Sequence, residues 1–118
     1  MKRLHIGELE EIILLVVGNL SSDAYGINIR DELRIKCNRN MSISTIHTTL
    51  HRLEKKGFLT STYVMSGETR RAGRPKLVFS ISAQGREVLE QVHQLRNDLW
   101  KSWITSLEFR LILSPRGS

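Results

Sequence analysis

The chain has 118 residues, one cysteine and more basic than acidic side chains. Its 18 lysine and arginine residues exceed its 12 acidic residues by six, which favours an anionic partner, and nucleic acid more than a membrane surface. The length and the 40% of hydrophobic residues allow one small domain, and a single cysteine excludes both an internal disulfide framework and a cysteine-rich zinc site.

The first helix is predicted over residues 6–20. Six apolar side chains form one broad face that makes this helix the main strut of the core: Leu9, Ile12, Ile13, Val16, Val17 and Leu20. Acidic residues interrupt the approach to the apolar run at residues 12–17, which is short for a secretory signal, and no stretch has the length of a membrane span. The sequence therefore predicts a cytoplasmic protein without a membrane partner.

The second helix is predicted over residues 24–33, and a basic connector over residues 34–41. Gly26 in the first turn of that helix predicts close packing against another helix, with Tyr25 beside it. The asparagines of the connector favour turns. Its basic side chains fit either a contact with phosphates or a solvated loop.

The pattern of residues 42–56 predicts an amphipathic helix. Ser42 is a good N-cap, and apolar residues recur at helical spacing at Ile43, Ile46, Leu50 and Leu53. The opposite face is polar and basic, with Ser44, Thr48, His51, Arg52 and Lys55. Taken alone, such a helix is more often a solvated surface helix than a DNA-reading one.

A hairpin with a basic tip follows this helix and favours the DNA interpretation. Strands are predicted at residues 58–64 and 77–82 because β-branched and aromatic residues alternate there. The loop between them carries four basic side chains: Arg70, Arg71, Arg74 and Lys76. A helix followed by such a hairpin is the arrangement of a winged helix-turn-helix, in which wing arginines enter a minor groove or follow phosphates. The alternative is a charged loop that keeps the hairpin soluble.

The last helix is predicted to begin after a Ser82 cap and to reach at least Trp103, with Leu113 as its furthest end. A heptad-like seam of Val88, Val92, Leu95 and Leu99 is widened by Trp100 and Trp103. This surface predicts pairing with a second copy of the chain, and the alternative is that the helix folds back on its own domain. The predicted division is a winged-helix domain at 1–83, a dimerisation helix at 84–113 and a disordered tail at 114–118.

The ordered set of motifs resembles the PadR-like family of bacterial transcriptional regulators. The matching pieces are Ala24-Tyr25-Gly26, the segments 44–46 and 50–57, the wing segment 73–76, and residues 81–86. The resemblance implies a mainly α fold with a two-stranded β wing, a winged helix-turn-helix with a long C-terminal dimerisation helix. It also implies a homodimeric repressor that binds a near-palindromic operator in double-stranded DNA.

The resemblance and the polar helix face together give the candidate DNA-contacting residues. On the helix these are Ser44, Thr45, His47, Thr48, Thr49, His51, Arg52 and Lys55, and on the wing Arg70, Arg71, Arg74 and Lys76. The family commonly has tyrosine where this chain has His47, so a tyrosine contact is lost there, although an imidazole can still donate to a phosphate.

Other functional classes receive little support from the residues. His47 and His51 have a spacing that can hold a metal, but nothing in the local sequence completes the site. Nucleophile motifs and phosphate-cradling glycine loops are missing, so we expect neither an enzyme nor a cofactor.

Three further binding hypotheses remain open. Trp100 and Trp103 would line an apolar slot for a small aromatic effector in a dimer, although interface packing explains them as well. The main alternative function is a winged-helix protein-interaction module without sequence-specific DNA binding. RNA binding is a weaker alternative because a stacking platform of exposed aromatics is not evident.

Overall fold

A computed structural model of the chain describes residues 6–65 and 75–113. Its elements in chain order are α1 (Glu8–Leu20), a 3₁₀ turn (Ser21–Asp23), α2 (Gly26–Cys37), α3 (Ile43–Lys55), β1 (Leu59–Val64), β2 (Lys76–Ile81) and α4 (Ala83–Leu113). The predicted fold class, mainly helical with a two-stranded β wing and a long C-terminal helix, is confirmed. The predictions for the wing residues Arg70, Arg71 and Arg74 and for the tail at 114–118 lie outside the described residues.

Helix α1 lies at the centre of the core. Its side chains Ile13, Leu14 and Val17 are buried, and the helix contacts α2, α3, β2 and α4. Leu14 lies off the apolar face predicted for α1, yet it is fully buried because these elements cover the helix on more than one side. The prediction that α1 is the main strut of the core is confirmed.

Helix α2 is longer than the sequence pattern predicted. The expected connector at 34–41 is wrong over its first half, because the helix continues to Cys37 and ends at Asn38 in the left-handed conformation, with φ of 53°. Residues 34–37 include good helix formers, and Lys36 forms an ion pair with Glu32 one turn earlier at 3.0 Å. The connection between α2 and α3 is therefore limited to residues 38–42.

The two strands form the antiparallel sheet of the wing. They pair antiparallel, with Leu59 opposite Ile81 and Val64 opposite Lys76, so the predicted strands are confirmed to within one residue at each end. Phe79 is fully buried, and its N–H donates to the carbonyl oxygen of Ala24 at 2.8 Å. This bond ties the sheet to the segment that precedes α2.

Helix α4 begins on the domain and then extends away from it. Its first turn is capped as predicted, because the N–H of Gly85 donates to Ser82 Oγ at 3.0 Å. Val88 and Val92 then pack into the core of the same chain. The guanidinium of Arg96 donates a hydrogen bond to the carboxylate of Glu11 on α1 at 2.9 Å. The apolar side chains that follow along α4, such as Leu99, are largely exposed.

Candidate DNA-binding surface

Helix α3 has one face in the core and one face in solvent. Ser42 caps it, since its Oγ accepts the N–H of Thr45 at 3.1 Å. Ile46, Leu50 and Leu53 are fully buried against the domain. The exposed residues on the other side of the helix are Ser44, Thr45, Thr48, His51, Arg52 and Lys55.

Thr49 corrects the set of DNA-facing residues. Its side chain is only 3% exposed, and its hydroxyl donates to the carbonyl oxygen of Thr45 at 3.0 Å. The backbone bond allows this polar side chain to be buried on the core side of α3. We therefore leave Thr49 out of the candidate surface.

His47 lies at the edge of this surface. It is half-buried, and a Cβ atom added at Gly26 would come within 2.8 Å of its Nε2. The close packing predicted at Gly26 is therefore present, and His47 is the residue that requires it. The rings of His47 and His51 stack with their centroids 6.1 Å apart.

The one acidic residue of α3, Glu54, lies at the edge of the exposed face, beside the wing. Glu54 is half-buried and accepts a hydrogen bond from the hydroxyl of Ser61 on β1. Its other carboxylate oxygen lies 3.7 Å from Nδ1 of His51. Arg52 and Lys55 are exposed on the face itself. An anionic ligand would meet hydroxyls, imidazole and cations there.

An ion pair anchors the end of α3 to the beginning of α1. Lys56 Nζ lies 2.8 Å and 3.0 Å from the two carboxylate oxygens of Glu10, which also accepts the N–H of Gly7 at 2.9 Å. Burial raises the pKa of Glu10, but the hydrogen bonds from Lys56 and Gly7 and the charges of Lys56 and Arg52 outweigh burial and lower the pKa below its ordinary value. Local sequence patterns do not predict this pair, because 46 positions separate its members.

Lys76 is the wing cation that the structure describes, and it lies at the end of the two-stranded sheet next to the wing loop. Its ammonium is 4.2 Å from the centroid of the Tyr25 ring. Tyr25 directly precedes Gly26, which contacts His47 of α3. Lys76 is therefore held near the junction of the wing with α3.

The candidate pairing surface occupies the distal part of α4. Val88 and Val92, predicted at a dimer interface, are only 5% and 6% exposed because they fill the core of their own chain. Leu95, Leu99, Trp100 and Trp103 are exposed, and the two tryptophan rings meet edge to face with centroids 5.4 Å apart. The surface available to a partner therefore begins at Leu95.

Residues 6–65 and 75–113 contain neither a metal-binding cluster nor a membrane-spanning helix. Within these ranges, we find no group of three histidine, cysteine or acidic side chains that could hold a metal ion. None of the helices described there combines the length and the apolar character needed to cross a membrane.

Comparison with known protein families identifies the family of this chain. Residues 13–91 match the family model described as the transcriptional regulator PadR-like family. The chain belongs to the PadR-like family. The resemblance seen in the sequence is thereby confirmed, and the chain is a transcriptional regulator of a family whose members are not enzymes.

Solved structures of other regulators share the fold. A PadR-like transcription factor from Bacteroides fragilis is 21% identical, with 82% of this chain and 87% of that chain aligned at a TM-score of 0.66. A transcriptional regulator from Clostridium thermocellum is 26% identical, with 83% and 87% aligned at 0.60. A PadR-family regulator from Clostridium difficile is 21% identical, with 86% and 99% aligned at 0.63. Comparison with curated proteins gives no significant match.

Proposed function

We propose that this PadR-like protein binds double-stranded DNA in a sequence-specific manner, with α3 in the major groove. The observation that carries the proposal is the exposed face of α3, where hydroxyls lie together with His51, Arg52 and Lys55. Glu54, at the edge of this face, accepts a hydrogen bond from Ser61 of β1. Arginine in a groove can donate two hydrogen bonds to guanine, and hydroxyls can bond either base edges or phosphates. In this proposal residues 1–83 contact DNA and residues 84–113 pair the chains.

The proposed assembly is a homodimer that pairs through distal α4. Leu99 and Trp103 are 63% and 54% exposed, and more apolar side chains follow them to Leu113. The segment 95–113 is about 28 Å long at 1.5 Å per residue, and an apolar surface of this length is rarely left in solvent. A two-fold dimer would present two α3 helices to the related halves of a near-palindromic operator.

The effect on transcription that we propose is repression, which the family resemblance predicts. A dimer bound across a promoter would exclude RNA polymerase by occupying the same duplex. A reporter gene under the control of the DNA upstream of the protein's own gene tests this. Expression of the protein should lower the output of the reporter. A rise in output would instead indicate an activator.

The DNA proposal is tested by changing Arg52 to alanine. Duplexes from the DNA upstream of its own gene are first screened by footprinting, and the protected duplex is then compared with a duplex of mixed sequence. We expect Arg52→Ala to weaken binding to the protected duplex by about 1–3 kcal/mol, the scale of one base contact. Arg86→Ala on exposed α4 is the matched control and should change little.

Two results would contradict this assignment. An equal loss on both duplexes would show that Arg52 contacts phosphate without reading sequence. A wild-type protein that prefers no upstream duplex over mixed DNA would remove the sequence-specific proposal and favour the protein-interaction module.

The homodimer is tested by placing a carboxylate in the exposed seam. Leu99→Glu should give a monomer in sedimentation equilibrium, because the charge would be buried without a partner. Gln94→Glu adds the same group at an exposed position about 140° around α4 from Leu99 and should leave the dimer intact. A wild-type protein that sediments as a monomer at micromolar concentration would refute the dimer.

A small aromatic effector is a further part of the proposal. The edge-to-face pair of Trp100 and Trp103 leaves more than half of each side chain exposed, so two copies in a dimer would offer aromatic faces to a planar molecule. Titration of planar aromatic compounds should quench tryptophan fluorescence and alter DNA affinity. A chemically broad panel without quenching would contradict the effector site.

A further inference from the structure

Tyr25 and Lys76 are held together by elements that are themselves fixed. The Lys76 ammonium lies 4.2 Å from the centroid of the Tyr25 ring, within the range of a cation–π interaction. Tyr25 has an extended backbone at the start of α2, and its carbonyl accepts the N–H of Ile29 at 2.9 Å. The neighbouring Ala24 carbonyl accepts the N–H of Phe79 from the same strand as Lys76. These backbone bonds hold the Tyr25 backbone beside the strand that carries Lys76, so the ring and the ammonium start from neighbouring positions.

This pair lies where the wing meets the DNA-facing helix. Gly26, next to Tyr25, allows His47 of α3 to approach so closely that an added Cβ would be 2.8 Å from its Nε2. Lys76 begins β2 and pairs with Val64 at the end of β1, on the side of the sheet from which the wing loop departs. In the proposed complex, with α3 in the major groove, Lys76 would lie beside that groove, where the phosphates are.

We propose that Tyr25 is a positioning residue that holds Lys76 toward a phosphate of the DNA backbone. This inference rests on the proposed DNA binding. A free lysine side chain loses much rotamer freedom when it binds a phosphate, and a lysine already placed over a ring has lost part of that freedom before binding. The ring attracts the ammonium without neutralising its charge, so the N–H groups directed away from the ring can donate to phosphate.

The test is a double-mutant cycle measured on DNA. Wild type, Tyr25→Leu, Lys76→Gln and the double variant are titrated by fluorescence anisotropy against a labelled duplex of mixed sequence at several salt concentrations. Lys76→Gln should reduce the slope of log affinity against log salt by about one, as expected for one phosphate contact. Tyr25→Leu should weaken binding about two- to fivefold, because Lys76 would then lose more of its rotamer freedom on binding.

Coupling between the two residues is the readout that a structural role would not produce. With Lys76→Gln already present, Tyr25→Leu should cause no further loss of affinity. Tyr25→Phe keeps the ring and should bind DNA like wild type. Thermal unfolding verifies that each variant is folded, and Tyr25→Met replaces Tyr25→Leu in the cycle should the leucine variant not fold.

Several outcomes would overturn the inference while leaving the proposed function in place. An equal loss from Tyr25→Leu with and without Lys76 would show that Tyr25 acts independently of the lysine. Unchanged binding by Tyr25→Leu alongside a loss in Lys76→Gln would remove the positioning role. Unchanged binding by Lys76→Gln alongside a loss in Arg52→Ala would remove the phosphate contact. Failure of the wild type to bind any duplex would instead refute the proposed function itself.

Discussion

Replacing Glu10 with glutamine should destabilise the domain more than any exchange of an exposed carboxylate. The carboxylate is nearly buried, its side chain being 10% exposed, and it receives hydrogen bonds from both Lys56 and the N–H of Gly7. Glutamine preserves the shape and one acceptor oxygen but removes the negative charge. Lys56 would then keep its charge beside a neutral amide.

Two limits bracket the expected loss in the free energy of unfolding. Exposed ion pairs contribute about 0.2–1 kcal/mol, whereas removing one partner from a fully buried pair costs about 3–5 kcal/mol. The side chain of Lys56 is 32% exposed, so water can solvate part of its charge after the exchange. We therefore expect Glu10→Gln to cost about 2 kcal/mol, close to the value of a hydrogen bond to a charged group.

Urea denaturation at a fixed protein concentration measures this loss. The concentration is held constant because dimerisation would change the apparent stability. The matched control is Glu90→Gln, which removes an exposed carboxylate 3.0 Å from Arg86 and should cost less than about 0.5 kcal/mol. Equal losses in the two variants would refute the assignment of Glu10 and Lys56 as an anchor.

The pH dependence gives an independent measurement of the same pair. The pKa of Glu10 is lowered on folding, so its stabilisation is complete above the ordinary glutamate value and is lost as the pH falls through the lowered pKa. The difference in unfolding free energy between wild type and Glu10→Gln should therefore shrink as the pH falls below 4.5, the ordinary pKa of a glutamate. A difference that stays constant to lower pH would contradict the charged state of Glu10.

Three further exchanges test the local packing, each by urea denaturation. Gly85→Ala should cost at least about 1–3 kcal/mol because the new Cβ would be 2.1 Å from the carbonyl oxygen of Phe58, and wild-type stability would show that the contact relaxes easily. Gly57→Ala should lower the free energy of unfolding by about 1 kcal/mol, because an alanine is strained at the φ of +86° found there. Nothing lies within 4 Å of the added Cβ, so a larger loss would indicate a clash. Ser42→Ala should cost about 0.5–2 kcal/mol by removing the cap on the Thr45 N–H, and no loss would mean that the N–H finds another acceptor.

The sequence predicted the elements well because their signals are local. The Ser42 cap, the apolar spacing in α3 and the strand alternation each depend on residues a few positions apart, and the structure places each where expected. The sequence pattern predicts too early an end for α2, because the asparagines of the following turn favour a loop while the helix-forming residues 34–37 extend the helix. A left-handed Asn38 ends the helix instead.

Contacts that depend on tertiary packing were not predictable from spacing. Thr49 has the polarity of a surface residue, but α3 turns it inward and Thr45 satisfies its hydroxyl. Val88 and Val92 have the spacing of a dimer seam, yet the domain itself buries them. The bond from Phe79 to Ala24 joins segments far apart in the chain, and no periodicity encodes it.

Helix α4 runs unbroken for 31 residues, from the core of the domain into the exposed seam. Such a helix is rigid, so in the proposed dimer it would set both the distance and the relative rotation between the two DNA-binding domains. One residue inserted between Val92 and Leu95 would turn the distal half by about 100° and advance it by about 1.5 Å. The length of α4, which contacts no bases in this proposal, would thus determine the spacing of operator half-sites that the dimer can bind.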